Sequence, residues 1–369
     1  MKIPFVDLKA QYEAIKPEID TAIASVISET AFVGGKYVNA FVDAYADYYG
    51  VKHVVPCANG TDSLYIIMKM LGVGPGDEVI TVANSWVSSS ETITQTGAKV
   101  VFVDVHPDYF SMDEEQLEGL INEKTKALIA VHLQGQMCAI DKIKAICDKH
   151  NVFLIEDCAQ AHSSMLHGVK AGLSGIAGSF SFFPGKNLGA YGDAGCIITN
   201  DDNLATLCKM YAKHGALVKH QHKIEGINSR LDGLQAAILT AKLPFLDSWI
   251  ESRIRIADYY REQLAGVSDI ILPCVRPNSR HTYHLFVIRA DRRDELQRFL
   301  ETKGVSTALH YPTPLPFLEA YSYLDHNYED FPIARMHQKE ILSLPIYPEM
   351  TIKMVEYVAI QIKAFYALK

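Results

Sequence analysis

The sequence contains no uninterrupted apolar run of about 18 residues, the length that crosses a bilayer as a helix, so no membrane span is expected. Its opening, MKIPFVDLKAQYEAI, carries charged and polar residues from position 2 onward and offers no apolar signal-peptide stretch. There is no CxxC pair. The seven cysteines, at 57, 138, 147, 158, 196, 208 and 274, are odd in number and widely spaced. That argues against a disulfide framework or a structural zinc site and for reduced thiols in a cytosolic protein; no metal ligand set is expected. A basic excess is also missing. Lys plus Arg total 35 against 43 Asp plus Glu, a formal net charge of −8. A general positive field for nucleic acid is therefore absent, although local groups can still grip a small anion. No G-x-G-x-x-G follows an early strand, which sets aside a dinucleotide-binding dehydrogenase. Internal repeats and low-complexity tracts are absent as well.

What is present is a chain of 369 residues, 49% hydrophobic and 21% charged, too apolar for disorder. At roughly 100–200 residues per domain, two domains are expected. Residues 13–49 read as helical with a break at TAFVGG (30–35). Strand-like apolar runs follow at His53–Cys57, Glu78–Val82, Val100–Asp104, Ala127–His132 and Val152–Glu156. Helical segments alternate with them at Thr61–Leu71, Asp113–Ile121 and Asp141–Lys149, the second opened by a capping box of Ser111 and Glu114. This alternation predicts an α/β fold built on a mostly parallel sheet. Further strands are expected at Gly178–Phe183 and Gly195–Thr199, then a long helix over Leu231–Leu264 interrupted by Pro244. Beyond it, a smaller α+β section is predicted: strands at His284–Ile288 and Ser306–His310, helices at Arg293–Lys303 and Ile352–Leu368. The domains are read as 1–250, a large domain with an N-terminal helical segment, and 251–369.

Four segments could carry chemistry. In ANGTDSL (58–64), Gly60 and Thr61 fall between a strand and a helix, where free N–H groups and the helix dipole suit a phosphate. Taken alone, the segment reads rather as a βα turn with Thr61 or Asp62 as its N-cap. In LIEDCAQAH (154–162), an apolar strand ends in Glu156 and Asp157, with Gln160 close behind. Buried acids there require positive partners; a turn-capping Asp is the plainer alternative. In SFSFFPGKNLGAYGDAG (179–195), Lys186 lies among Phe, Pro, Gly and Leu, surroundings that would lower its pKa and free a nucleophilic amine. A solvated loop lysine is the other reading. In GINSRLDGLQAAIL (226–239), Asn228 and Arg230 precede an amphipathic helix, which Asn228 or Ser229 could simply cap. Two weaker signals are His310 and Tyr311 in ALHYPTP, and Trp86 in NSWVSSS.

A phosphate cradle, a carboxylate, an aromatic plate and a reactive lysine together are what is needed to hold pyridoxal 5′-phosphate (PLP). At these residues the chain resembles the DegT-type nucleotide-sugar aminotransferases, a fold-type I PLP-dependent family. The resemblance runs from IPFVDLKAQY (3–12) to LSLPIYP (342–348), with GTDSL, GPGDEVI, EDCAQAH, SFFPGKNLGAYGDAG, INSRLDGLQAA and HYPTP in family order. It implies a homodimer with shared active sites. Lys186 stands where the family has its Schiff-base lysine, Asp157 where the pyridine-nitrogen carboxylate stands, and Gln160 where a side chain contacts the ring's phenolic oxygen. Gly60, Thr61 and Ser181 match phosphate contacts, and Trp86 the stacking aromatic. Asn228 matches a phosphate ligand supplied by the neighbouring subunit. Arg230, His310 and Tyr311 match nucleotide-sugar contacts, also expected across the interface. The implied activity is transfer of an amino group from glutamate to a keto carbon, C3 favoured over C4, of a dTDP- or UDP-linked sugar in glycan or lipopolysaccharide precursor synthesis. Two alternatives are a sugar dehydratase of the same fold, whose relatives carry His in place of Lys186, and a non-catalytic regulatory homologue. Departures from the family pattern fall at Trp86, Gln134, Met137 and Cys158.

Overall fold

The apolar runs pair into one central sheet in a computed structural model that describes residues 1–367. In chain order the strands are β1 (His53–Cys57), β2 (Glu78–Val82), β3 (Lys99–Val103), β4 (Thr125–Val131), β5 (Phe153–Asp157), β6 (Met165–Leu166), β7 (Val169–Lys170), β8 (Ala177–Ser181), β9 (Gly195–Thr199), β10 (Ile270–Ile271), β11 (Ser279–Arg280), β12 (Phe286–Ala290) and β13 (Ile341–Leu344). The large sheet has seven strands in the order β1-β9-β8-β5-β4-β2-β3. Only β9 runs against its neighbours; β8, β5, β4, β2 and β3 pair in parallel. Helices cover both faces, so the strands are apolar throughout rather than alternating. Val79, Ile80, Leu128, Ile129, Ile155, Ile197 and Ile198 are all fully buried. Helix Gly60–Met70, one of the coverings, starts at Asn59, whose Oδ1 accepts the Asp62 N–H at 2.7 Å.

A second core forms around the three-stranded sheet β10-β12-β13. There Tyr260 stacks on Phe286 at 5.0 Å, and its hydroxyl donates to the Pro345 carbonyl at 3.0 Å. The two cores share elements. Helix Leu246–Leu264 buries Leu246 and Ile250 in the first and Tyr260 and Leu264 in the second. Ile3, from the N-terminal segment, packs in the second core, whereas Leu315, Tyr321 and Phe331 return to the first. That return is held by the Asp104 carboxylate at the end of β3. It accepts the N–H groups of Ile333 and Ala334, each at 2.9 Å, and so caps helix Pro332–Glu340.

Several local expectations need correction. Ser111 does not open a helix. Asp113 caps the short turn Glu114–Gln116, while the Ser111 hydroxyl accepts from the Arg276 guanidinium at 3.2 Å. Ser306–His310 is not a strand. Its backbone is divided between two partners: the Ser306 N–H goes to the Ile3 carbonyl at 3.0 Å, Ala308 bridges Ser343 of β13, and Pro312 and Pro314 end the segment. β12 begins at Phe286 rather than His284, since the Leu285 N–H is spent on the Gln134 carbonyl at 3.2 Å. Pro244 sits in a 3₁₀ turn, Leu243–Phe245, between helices Gly233–Lys242 and Leu246–Leu264, as expected. Leu368, the expected last helical residue, lies outside the described residues.

Glu156 ties β5 to the loop before β8. Its Oε1 accepts from the N–H groups of Ser174 and Gly175, both at 2.7 Å, and its Oε2 from Gly172 N–H at 2.8 Å. His132 Nε2 lies 2.8 Å from Oε2, and its Nδ1 accepts the Cys138 N–H at 3.2 Å, so Nε2 is the donor. Burial alone would raise the Glu156 pKa, but His132 and the backbone donors outweigh it and hold the carboxyl below its usual value. Glu156→Gln puts an amide against donors. It should cost about 2 kcal/mol, read as a lower urea midpoint at unchanged m.

Candidate active site

Ligands of open parallel sheets bind beyond the carboxyl ends of the strands. There β5 delivers Asp157, which is 6% exposed. Its Oδ1 accepts the Ala159 N–H at 3.1 Å and its Oδ2 the Ser89 hydroxyl at 2.9 Å. Burial still raises its pKa, more than these donors and the Lys186 charge lower it. The carboxylate therefore lacks a full countercharge.

Lys186 comes from the turn after β8. Buried Phe182 and Leu188 anchor that turn on either side. Its N–H donates to the Phe183 carbonyl at 2.8 Å, and the neighbouring Asn187 side chain to the Thr282 carbonyl at 3.2 Å. Gly189 is required here, since a Cβ would sit 2.3 Å from the Pro184 oxygen. Burial lowers the Lys186 amine to about 8, with the Asp157 charge opposing.

The phosphate-like end is backbone. Gly60 opens helix Gly60–Met70 so close to β8 that a Cβ would lie 2.8 Å from Ser181 Cβ. The Thr61 hydroxyl lies 2.6 Å from that of Ser88, and the Ser181 hydroxyl accepts the Phe183 N–H at 3.3 Å. Asn59 takes the Asp62 N–H, which leaves the N–H groups of Gly60 and Thr61 to favour an anion. Gln160 is fixed at both ends: Oε1 accepts the Gln134 N–H at 2.6 Å, and Nε2 donates to the Tyr311 hydroxyl at 2.9 Å. Trp86, 59% exposed, has its ring 5.8 Å from Tyr311 at 47°. His310 Nδ1 meets the Ser343 hydroxyl at 2.8 Å, its ring stacks on Phe5 at 5.7 Å, and burial lowers it to about 4.

One cavity of about 570 Å³ brings together Gly60, Thr61, Trp86, Asp157, Gln160, Ser181 and Lys186, with His310 and Tyr311. The last two correct an expectation: they face Lys186 of their own chain rather than reaching across an interface. Gln160 on the β5 side and the Ala308–Ser343 bridge hold them there. Asn228 and Arg230 are not part of this cavity; both are exposed, on the loop where Asn228 bridges to Lys213. Sequence reasoning missed Phe5, Arg253 and His284, which also line the cavity. It also missed His162, fully buried with both ring nitrogens unpartnered and packed between Phe180 and Phe182. His162 and His284 stand in quoted segments; nothing marks Arg253 among the charged residues of its helix.

A buried carboxylate short of a countercharge, an amine lowered by burial and a free helix N-terminus converge on one cavity of a mostly parallel sheet. They fit the pyridine nitrogen, aldehyde and phosphate of PLP, and with this topology they define a fold-type I PLP-dependent enzyme. The model of the DegT/DnrJ/EryC1/StrS aminotransferase family matches residues 13–363, and the chain belongs to that family. It is 43% identical to a pleiotropic regulatory protein of Geobacillus stearothermophilus, over 99% of each chain. It is 40% identical to a UDP-2-acetamido-2-deoxy-3-oxo-D-glucuronate aminotransferase of Pseudomonas aeruginosa, over 94% of this chain and 95% of that one. Among solved structures it is similar to DesV of S. venezuelae in complex with a ketimine intermediate: TM-score 0.96, 37% identity, covering 99% of this chain and 98% of that one. Gly60→Ala should push Ser181 out of the cradle and raise the PLP dissociation constant by about tenfold or more, measured by absorbance titration of the apoprotein.

Proposed function

We propose that this chain moves an amino group from glutamate to the C3 keto carbon of a dTDP- or UDP-linked sugar, with PLP as coenzyme. The observation that carries the reading is Lys186 facing Asp157 in one cavity, its amine lowered to about 8. When bound, PLP supplies a carbonyl that condenses with amines and a pyridinium ring that takes up the electron pair of a broken C–H bond. Asp157 holds the proton on the ring nitrogen, a role that gives its buried carboxylate the cation it lacks. Gly60, Thr61 and Ser181 hold the phosphate, Trp86 covers the ring, and Gln160 meets its phenolic oxygen. Lys186 holds the coenzyme at rest. Displaced by the donor, its amine takes the proton from the donor Cα and returns it on the other side of the new C–N linkage. With the keto sugar the same shuttle runs in reverse, which gives ping-pong kinetics.

The acceptor's diphosphate needs local positive charge, and Arg230 suits it. Asn228 and Arg230 belong to a loop that also exposes Leu217, Val218 and Ile224. An apolar exposed loop bearing two missing site residues supports a homodimer in which each copy completes the other's site. His310 and Tyr311 are assigned to the sugar from within the chain. The P. aeruginosa relative's name, a 3-oxo sugar aminotransferase, supports C3 over C4. The product is assigned to cytoplasmic synthesis of a glycan or lipopolysaccharide precursor. The name of the Geobacillus relative favours a second reading, a regulatory protein. The complete set of Lys186, Asp157 and Gln160 weighs toward chemistry. Lys186 also weighs against the dehydratase, whose relatives have His there.

Amination of a panel of dTDP- and UDP-linked 3-keto and 4-keto sugars, with products identified by mass spectrometry, tests the activity directly. Lys186→Ala and Asn228→Ala should each lose turnover, and mixing the two variants should restore part of it. No recovery in mixed dimers would refute the shared site. The neutral amine is the reactive form, so the rate at which apoprotein takes up PLP should rise with pH through about 8 and level off above it. Stopped-flow absorbance reads this; a rate that is flat over that range would refute the assigned amine.

A further inference from the structure

Arg253 is 4% exposed, yet it lines the cavity that holds Lys186. Its Nη1 is occupied, donating to the carbonyls of Ile346 at 2.9 Å and Tyr283 at 3.2 Å, and more distantly to His284 at 3.5 Å. The rest of the guanidinium is idle. Nε is buried with no acceptor, and no protein acceptor is found for Nη2. Nε–H and Nη2–H form one edge of the planar fork, the edge that matches a carboxylate with two parallel hydrogen bonds. A buried donor left unpaired is costly, so a ligand is the natural partner. Glu349 is the carboxylate whose charge acts on Arg253, but no ion pair joins them, and burial raises the Glu349 pKa. The other charged and titratable groups lining the cavity are Lys186, His284, His310, Tyr311, Asp157 and Asp193. Burial lowers both histidines, which leaves them neutral, and Lys186 is spent on the coenzyme. Arg253 is lowered only to about 10 and keeps its charge at working pH.

We propose that Arg253 binds a carboxylate of the amino-acid donor, and of the keto acid it becomes, through its Nε and Nη2 edge. This rests on the aminotransferase reading and names the donor side of that site. Arg253 thereby separates donor from acceptor recognition: it serves the amino acid, while the sugar nucleotide uses other groups.

The probe is glutarate, a dicarboxylate that cannot react, titrated calorimetrically into the PLP-loaded protein. In Arg253→Gln and Arg253→Lys the glutarate dissociation constant and the glutamate KM should rise about ten- to a hundredfold. The sugar-nucleotide KM and the visible coenzyme absorbance should stay as in the parent. A purely structural stitch would not split the two KM values in this way. Unchanged glutarate affinity in a variant that retains its coenzyme overturns the proposal. Because Nη1 also ties three carbonyls, a variant that fails to fold is replaced by a crystal structure of the parent protein with glutarate. A carboxylate on the Nε and Nη2 edge upholds the proposal, and a carboxylate bound elsewhere with that edge empty refutes it. Glutarate binding needs no turnover. A parent protein that binds glutarate on this edge but aminates no sugar nucleotide therefore upholds the Arg253 assignment and sinks only the acceptor reading.

Discussion

The site depends on a carboxylate that the fold buries and then only partly satisfies. Asp157 receives two hydrogen bonds and the field of Lys186, yet burial still pushes its pKa up. The same burial pulls the Lys186 amine down to about 8. Desolvation disfavours charge on both, so the cavity walls carry a carboxylate and an amine that are each biased toward neutrality. A bound cation at the ring-nitrogen position reverses the first bias. The second suits the proposed chemistry, because only a neutral amine attacks a carbonyl. One physical effect, loss of water at the end of β5, thus prepares two groups for different tasks.

The adjacent residue shows why this end of β5 is rigid enough for that. Successive strand residues point to opposite faces. Asp157 turns to the cavity, while Glu156 turns away and gathers three backbone N–H groups of the loop 172–175 together with His132. His132, Glu156 and Cys158 come close enough together to suggest a metal site. Every oxygen of Glu156 and both ring nitrogens of His132 are already engaged within the protein. The cluster therefore reads as a staple: a satisfied buried acid next to an unsatisfied one, the first holding the geometry in which the second works.

Much of this was legible in the sequence because it is local. β1, β2 and β9 follow from apolar runs of strand length, and the Gly60, Asp157 and Lys186 segments each lie at a strand end where turn chemistry marks them. What was not legible is set by distant partners. Ser306–His310 has the apolar pattern of a strand but splits its backbone pairing between Ile3 and Ser343. Ser111 has the spacing of a cap but is claimed by Arg276, far along the chain. The family pattern leads one to expect His310 and Tyr311 across an interface, yet they line the cavity of their own chain, because sequence order says nothing about which copy supplies a loop. Arg253 carries no local signature at all. Its value lies in which of its donors are left over, and that can be counted only once Tyr283 and Ile346 are in place.

The two cores divide the labour of the cavity. Gly60, Asp157, Gln160, Ser181 and Lys186 stand on the large sheet and its connections, whereas Phe5, Arg253, His284, His310 and Ile346 are brought in by elements around the small sheet. The first wall presents backbone N–H groups and buried charges to the cavity. The departures from the family pattern follow this division. Met137 and Cys158 are fully buried in the first core, outside the cavity lining, and Gln134 reaches the site only through its backbone N–H to Gln160. Trp86 alone stands exposed in the cavity, beside Tyr311. Of the four departures, then, only Trp86 presents its side chain to whatever the cavity holds.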